Sequence, residues 1–91
     1  MNDIEYKIVR YELFPKELPT FIVVGISITD LTTNNVSCIE HLVPISETLG
    51  KTHNEVCQIA YDNSKPQVAK ILENFSAQRT SIVGYTFVPN D

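Results

Sequence analysis

The chain contains 91 residues, of which 43% are hydrophobic and 20% are charged, and its formal net charge is −4. This balance is typical of a globular protein rather than a disordered one, and the length suits one core, so we predict a single α+β domain over residues 1–91. The seven basic residues are scattered, whereas nucleic acids and anionic membranes select for clustered Lys and Arg. The charge pattern therefore argues against nucleic-acid and membrane partners.

The first half of the sequence predicts strands. Residues 4–13 alternate Ile, Val and Tyr with charged side chains, which is typical of a half-buried strand. After a connection interrupted by Pro15 and Pro19, residues 21–29 form the strongest predicted strand, because they are rich in β-branched residues. The even-numbered residues of this strand make one continuous aliphatic face: Ile22, Val24, Ile26 and Ile28.

A hairpin and a third strand follow. Residues 30–35 are rich in Asp, Thr and Asn, and Asp and Asn tolerate the backbone geometry of turns. Residues 36–43 predict the partner strand, which ends at Pro44.

The clearest predicted boundary is the start of a helix. Thr52 and Glu55 have the spacing of a capping box, in which each side chain accepts a hydrogen bond from the backbone of the other residue. From Val56 to Phe75 the apolar residues recur at helical spacing, which predicts one long helix. Pro66 lies on its polar face and predicts a kink, with two shorter helices broken near Ser64 as the alternative.

Residues 81–88 predict a fourth strand, which ends at Pro89. The order β-β-β-α-β predicts an α+β fold with a single four-stranded, mostly antiparallel sheet and one long kinked helix on one face. A long helix that crosses the sheet would return the chain beside strand one, so we expect strand four to pair there.

Four residues have the composition of a zinc site: Cys38, His41, His53 and Cys57. The spacing argues against zinc, because Cys38 and His41 lie three apart in a strand and point to opposite faces. His53 and Cys57 share a helix face, where the histidine could activate the thiol. A packed core thiol is the favoured interpretation, since no third orienting group is evident. We predict no metal site.

Other catalytic signatures are weak. Glu40 and Glu47 are candidate acids because they flank a loop, although solvated surface acids are the simpler interpretation. The three glycines are isolated, so no phosphate-binding loop and no cofactor are predicted. The sequence favours a protein that is not an enzyme, with a small thiol- or carboxylate-dependent enzyme using Cys57 or Glu40 as the remote alternative.

Aromatic residues supply the predicted binding site. One helix covers one face of a sheet, so apolar area is expected on the uncovered face or edge, and aromatic residues are enriched at interface cores. The alternative is that these rings complete the core of the monomer. The predicted binding residues lie on predicted strands: Tyr11, Phe21, Tyr85 and Phe87.

The central part of the sequence resembles small bacteriophage or prophage proteins that combine a hairpin with a following helix. The matching residues are Gly50-Lys51-Thr52, Glu55, Ile59-Ala60-Tyr61 and Lys65-Pro66. The resemblance covers about half the chain, consists of capping and packing residues, and implies a virion-associated or host-modulating role. It carries over no catalytic residue.

The sequence leads to two main functional hypotheses. The first is a non-enzymatic interaction or structural module that self-associates through an uncovered sheet face or an edge strand. The second is a monomeric inhibitor or adaptor that binds one host protein. The first residues contain no apolar segment of a signal peptide, and the longest apolar run, residues 21–28, is far shorter than a membrane span. We therefore expect a cytoplasmic protein, or a virion protein if the chain is phage-derived.

Overall fold

The structure is a computed structural model that describes residues 3–79 and 86–90. Within these residues the chain forms three strands, one short 3₁₀ helix and two α-helices. The elements are β1 (Ile4–Phe14), β2 (Phe21–Asp30), β3 (Asn35–Pro44), the 3₁₀ helix (Ile45–Glu47), α1 (His53–Asn63) and α2 (Lys65–Arg79).

The three strands form an antiparallel sheet in the order β1-β2-β3. The predicted hairpin between β2 and β3 is confirmed: the Asp30 carboxylate accepts a hydrogen bond from the Thr32 amide at 2.9 Å, and Asn34 adopts a positive φ of 63°. Asparagine tolerates this left-handed conformation, which explains the turn at this point of the sequence.

The predicted four-stranded sheet is wrong. The sheet has three strands within the described residues, and residues 86–88 of the predicted fourth strand have no regular structure. Phe87 and Val88 are 73% and 79% exposed. The remaining part of that predicted strand, residues 81–85, lies outside the described residues. An apolar run has strand propensity but does not itself specify a pairing partner, because sheet pairing depends on contacts that are distant in sequence.

The predicted single long helix is also wrong. α1 ends at Asn63, Ser64 has φ −106° and ψ 8°, and α2 begins at Lys65. Pro66 is the second residue of α2, where its missing N–H would have no intrahelical acceptor in any case. The proline therefore begins a new helix instead of bending an existing one, as in the alternative that broke the helix near Ser64.

The core lies between the helices and one face of the sheet, and the aliphatic face predicted for β2 contributes to it. The start of α1 is fixed by the predicted capping box, with Glu55 N–H to Thr52 Oγ1 at 3.2 Å and Thr52 N–H to Glu55 Oε1 at 2.8 Å. The helices pack mainly on β3 and β2. The buried core residues are Val24, Ile26, Ile28, Ile39, Val43, Val56, Ala60, Val68 and Phe75.

An ion pair between Arg79 and the buried Asp30 joins the end of α2 to the sheet. Arg79 donates from Nε to Asp30 Oδ2 at 2.9 Å and from Nη2 to Asp30 Oδ1 at 2.7 Å, and Asp30 is fully buried. Hydrogen bonding to Arg79, helped by the Thr32 amide, lowers the pKa of Asp30 to about 2. This bidentate contact fixes α2 over the β2–β3 turn.

Among the described residues, no helix combines the length and the apolar character needed to span a bilayer.

Candidate protein-interaction site

β1 lies at the edge of the sheet and pairs with β2 along one side only, and its other side has no partner strand within the described residues. The strand is 11 residues long. An edge strand of this length presents a row of backbone donors and acceptors that another strand can complete. We call this side of β1 the free edge.

The orientation of the β1 backbone follows from one hydrogen bond. The Leu31 amide donates to the Asp3 carbonyl at 2.7 Å, so the polar groups of Asp3 point toward β2. In an antiparallel pair this direction alternates from residue to residue. The N–H and C=O groups that point outward at the free edge are therefore those of Ile4, Tyr6 and Ile8.

The side chains of these three residues lie on the side of the sheet that carries the helices. Tyr6 and Ile8 are opposite Ile28 and Ile26, yet they remain 42% and 43% exposed. The cause is the position of the helices, which pack mainly over β2 and β3. We call Ile4, Tyr6 and Ile8 the inner row of β1.

A groove runs between the inner row and α1. It has a volume of about 320 Å³, and its lining includes Tyr6, Ile8, Cys57 and Tyr61. Tyr6 packs edge-on against Tyr61, with ring centroids 5.4 Å apart. Because Tyr6 and Ile8 of β1 line this groove, a strand added at the free edge would lie next to apolar and aromatic side chains.

The opposite face of β1, which points away from the helices, is charged. Glu5 and Lys7 lie opposite the uncharged Thr29 and Ser27 of β2. Neither Glu5 nor Lys7 forms an ion pair with another described residue, and both are exposed. These two side chains are therefore available for charged partners outside the chain.

A bulge divides β1 into two halves. The register with β2 shifts between Ile8 and Arg10, which leaves Val9 as the extra residue, and Val9 is 56% exposed. Bulges interrupt the regular ladder of hydrogen bonds and hinder pairing at the edge of a sheet. The regular part of the free edge is therefore the segment from Ile4 to Ile8.

Beyond the bulge, Arg10 covers the middle of the outer face, which is the sheet face away from the helices. Arg10 lies opposite Gly25, and its guanidinium reaches Glu12 on the same strand at 2.5 Å and Glu40 on β3 at 3.2 Å. A Cβ at Gly25 would lie 2.8 Å from the Arg10 Cβ, so this crossing needs glycine. The outer face thus carries an ion-pair network across its centre, and Val23 beside it is buried.

The structure separates the aromatic residues predicted to bind a partner. Tyr11 lies on the helix side, where its hydroxyl is 2.9 Å from His53 Nδ1, and burial raises the pKa of this tyrosine. Phe21 lies half-buried on the outer face opposite Phe14. Phe87 is exposed in the segment without regular structure, and Tyr85 lies outside the described residues. Tyr11 and Phe21 therefore occupy opposite faces of the sheet.

The four residues weighed for zinc are also dispersed. Cys38 is exposed and lies opposite Ser27 on the outer face, whereas His41 lies opposite Val24 on the helix side. His53 is hydrogen-bonded to the Tyr11 hydroxyl. Burial raises the pKa of the Cys57 thiol, which lowers the reactivity of this thiol at neutral pH. Across residues 3–79 and 86–90, no three His, Cys, Asp or Glu side chains are grouped to hold a metal ion.

The two candidate acids lie in different settings. Glu40 is engaged by Arg10 on the outer face, and Glu47 is exposed in the 3₁₀ helix. Glu40 thus has a structural partner.

The sequence did not predict the residues of the free edge as a site. Residues 4–13 were correctly predicted as a strand, but the expected fourth strand would have covered that edge. The alternation of Glu5 and Lys7 with apolar residues was the available signal, and it becomes informative once the neighbour of β1 is known.

No protein-family model, no curated protein and no solved structure matches this chain. The resemblance to small phage proteins stays a prediction.

Proposed function

We propose that this protein is a non-enzymatic interaction module that self-associates through the free edge of β1. The observation that carries the proposal is the edge itself, with the outward backbone groups of Ile4, Tyr6 and Ile8 beside a half-exposed apolar inner row. A second copy supplies a matching strand and covers both features at once.

The other edge strand, β3, is less suited to this role. Both helices contact β3, and its inner side chains Ile39 and Val43 are 8% and 0% exposed. The corresponding side chains of β1, Tyr6 and Ile8, are about five times as exposed as Ile39. A strand added at β1 would therefore bury apolar area that the monomer leaves in water.

The outer face is a weaker candidate for the self-association surface, because covering it would remove charged groups from water. Arg10 and its carboxylate partners cover its centre, and removing charged groups from water costs free energy that their pairing only partly offsets. The exposed apolar side chains there lie at the two ends of the sheet: Phe14 and Leu42 at one end are 46% and 42% exposed, and Val36 at the other end is 59% exposed. The edge of β1 needs no such desolvation of a charge network.

The test is molar mass by light scattering after size exclusion, over a wide range of protein concentration, for the wild type and two variants. Ile8→Pro removes one outward N–H, while Ile8→Ala shortens the same side chain and keeps the N–H. We expect the wild type to dimerise. Losing this backbone bond from both copies costs about 1–3 kcal/mol beyond the Ile8→Ala effect, or roughly a fivefold to hundredfold weaker dimer.

The result that would overturn the proposal is a wild-type monomer of 10.3 kDa at every concentration. An Ile8→Pro variant that assembles as well as Ile8→Ala would place the interface elsewhere. Phe87→Ser provides a further comparison, because it alters an exposed side chain in the segment 86–90. Loss of assembly in Phe87→Ser but not in Ile8→Pro would assign the interface to that segment.

A further inference from the structure

The sequence of the segment from Ile4 to Ile8 favours one register of pairing between two copies of β1. Its sequence reads Ile-Glu-Tyr-Lys-Ile, so apolar residues stand at both ends, an acid and a base flank the centre, and Tyr6 is the midpoint. In an antiparallel pair of identical strands related by a two-fold axis at Tyr6, each residue meets a chemically complementary one. We propose that two copies pair their β1 strands in this register, so that the three described strands of each copy join into one continuous sheet.

The backbone supports this register. The outward N–H and C=O groups belong to Ile4, Tyr6 and Ile8. When Tyr6 lies opposite Tyr6 of the other copy, Ile4 of each copy lies opposite Ile8 of the other, so the outward groups of the two strands are aligned. These are hydrogen-bonded pairs, which exchange both backbone bonds. Every outward polar group of the segment then gains a partner.

The side chains support it as well. Glu5 of one copy lies opposite Lys7 of the other, and the two-fold axis creates this pair twice. Glu5 and Lys7 occupy non-hydrogen-bonded positions at the new junction, where facing side chains approach most closely. On the helix side, Ile4 of one copy lies beside Ile8 of the other, which lines the groove together with Tyr6.

An alternative two-fold register is worse. An axis midway between Ile8 and Val9 would place Glu5 opposite Glu12 and Lys7 opposite Arg10, and like charges directly opposite are destabilising. That register would also run the pair through the Val9 bulge, where the ladder is irregular. The register centred at Tyr6 keeps the paired segments, Ile4 to Ile8 of each copy, clear of the bulge.

A charge-swap series tests the register, which rests on the self-association proposed above. Glu5→Lys places two lysines opposite each other at both symmetric positions, and Lys7→Glu places two acids there. We expect each single variant to raise the dimer Kd about tenfold or more, because two attractions become two repulsions. The double variant Glu5→Lys/Lys7→Glu restores the pairing, and an equimolar mixture of the two single variants forms heterodimers.

The matched control for Lys7→Glu is Lys70→Glu, which makes the same change in charge at an exposed helical residue. We expect it to leave the Kd within about twofold, and circular dichroism confirms that each variant is folded. A wild-type dimer that is disrupted by Ile8→Pro but unaffected by either single charge variant would overturn the register and leave the self-association standing. A monomeric wild type would overturn both. Failure of the double variant or of the mixture to restore the dimer would also overturn the register.

Discussion

The crossing of Arg10 over Gly25 makes the sheet register testable by mutation. Gly25→Ala places a Cβ 2.8 Å from the Arg10 Cβ, whereas carbon atoms in contact prefer about 3.5–4.0 Å. The Arg10 Cβ is attached to the backbone of β1, so a change of rotamer cannot relieve the overlap and the strands must separate. Overpacking of this kind costs about 1–3 kcal/mol, and the lower entropy of the unfolded chain returns about 0.4–1 kcal/mol. We expect a net loss of about 1–2 kcal/mol in the free energy of unfolding.

A pair of second-site variants identifies the clash as the cause. Arg10→Gly removes the Cβ, so Gly25→Ala should cost nothing in that background and can stabilise the fold slightly. Arg10→Ala removes the guanidinium and its ion pairs but keeps the Cβ, so the Gly25→Ala penalty should persist. Urea denaturation followed by far-ultraviolet circular dichroism measures all of these variants at one low protein concentration. A Gly25→Ala protein as stable as the wild type, or equal rescue by Arg10→Ala and Arg10→Gly, would refute the predicted contact.

Three further predictions concern the helices and the thiols. Arg79 lowers the pKa of Asp30 from an ordinary 3.8 to about 2. The ionised carboxylate therefore stabilises the fold fully above pH 3.8, and this stabilisation is lost as the pH falls through about 2. Arg79→Met should therefore flatten the acid side of a stability–pH profile, and an unchanged profile would contradict the assignment. The buried Ser64 hydroxyl has no hydrogen-bond partner among the described residues, so Ser64→Ala should leave the stability unchanged or raise it by up to about 1 kcal/mol. A clear loss in urea denaturation would show that Ser64 caps α2. Peptide mapping after brief maleimide treatment should find Cys38 modified before Cys57, since Cys38 is exposed and burial raises the pKa of Cys57; preferential labelling of Cys57 would instead support a reactive thiol.

The features that the sequence predicts correctly depend on local signals. The capping box at Thr52, the turn at Asn34 and the aliphatic face of β2 each depend on residues that are neighbours along the chain or along one element. The effect of Pro66 was ambiguous, because a proline inside one helix and a proline in the first turn of a new helix can both be preceded by the same helical spacing of apolar residues.

The features that the sequence did not predict depend on distant pairing. The contact of Arg10 with Glu40 requires the strand register, which the bulge at Val9 shifts and which no local pattern fixes. Recognition of β1 as an edge strand requires the order of the sheet, and the expectation of a fourth strand beside it concealed the candidate site. The complementarity of residues 4–8 has functional meaning only once that edge is free.

Amide hydrogen exchange in β1, measured as a function of protein concentration, reports directly on whether a second copy pairs with the free edge. The amides of Glu5 and Lys7 point toward β2 and should be protected at every concentration. The amides of Ile4, Tyr6 and Ile8 point outward, so we predict rapid exchange when the protein is dilute and increasing protection as it assembles. Outward amides that exchange rapidly at all concentrations would contradict the proposed interface. Equal protection at the lowest concentrations, with a monomeric mass, would show that the chain covers this edge itself.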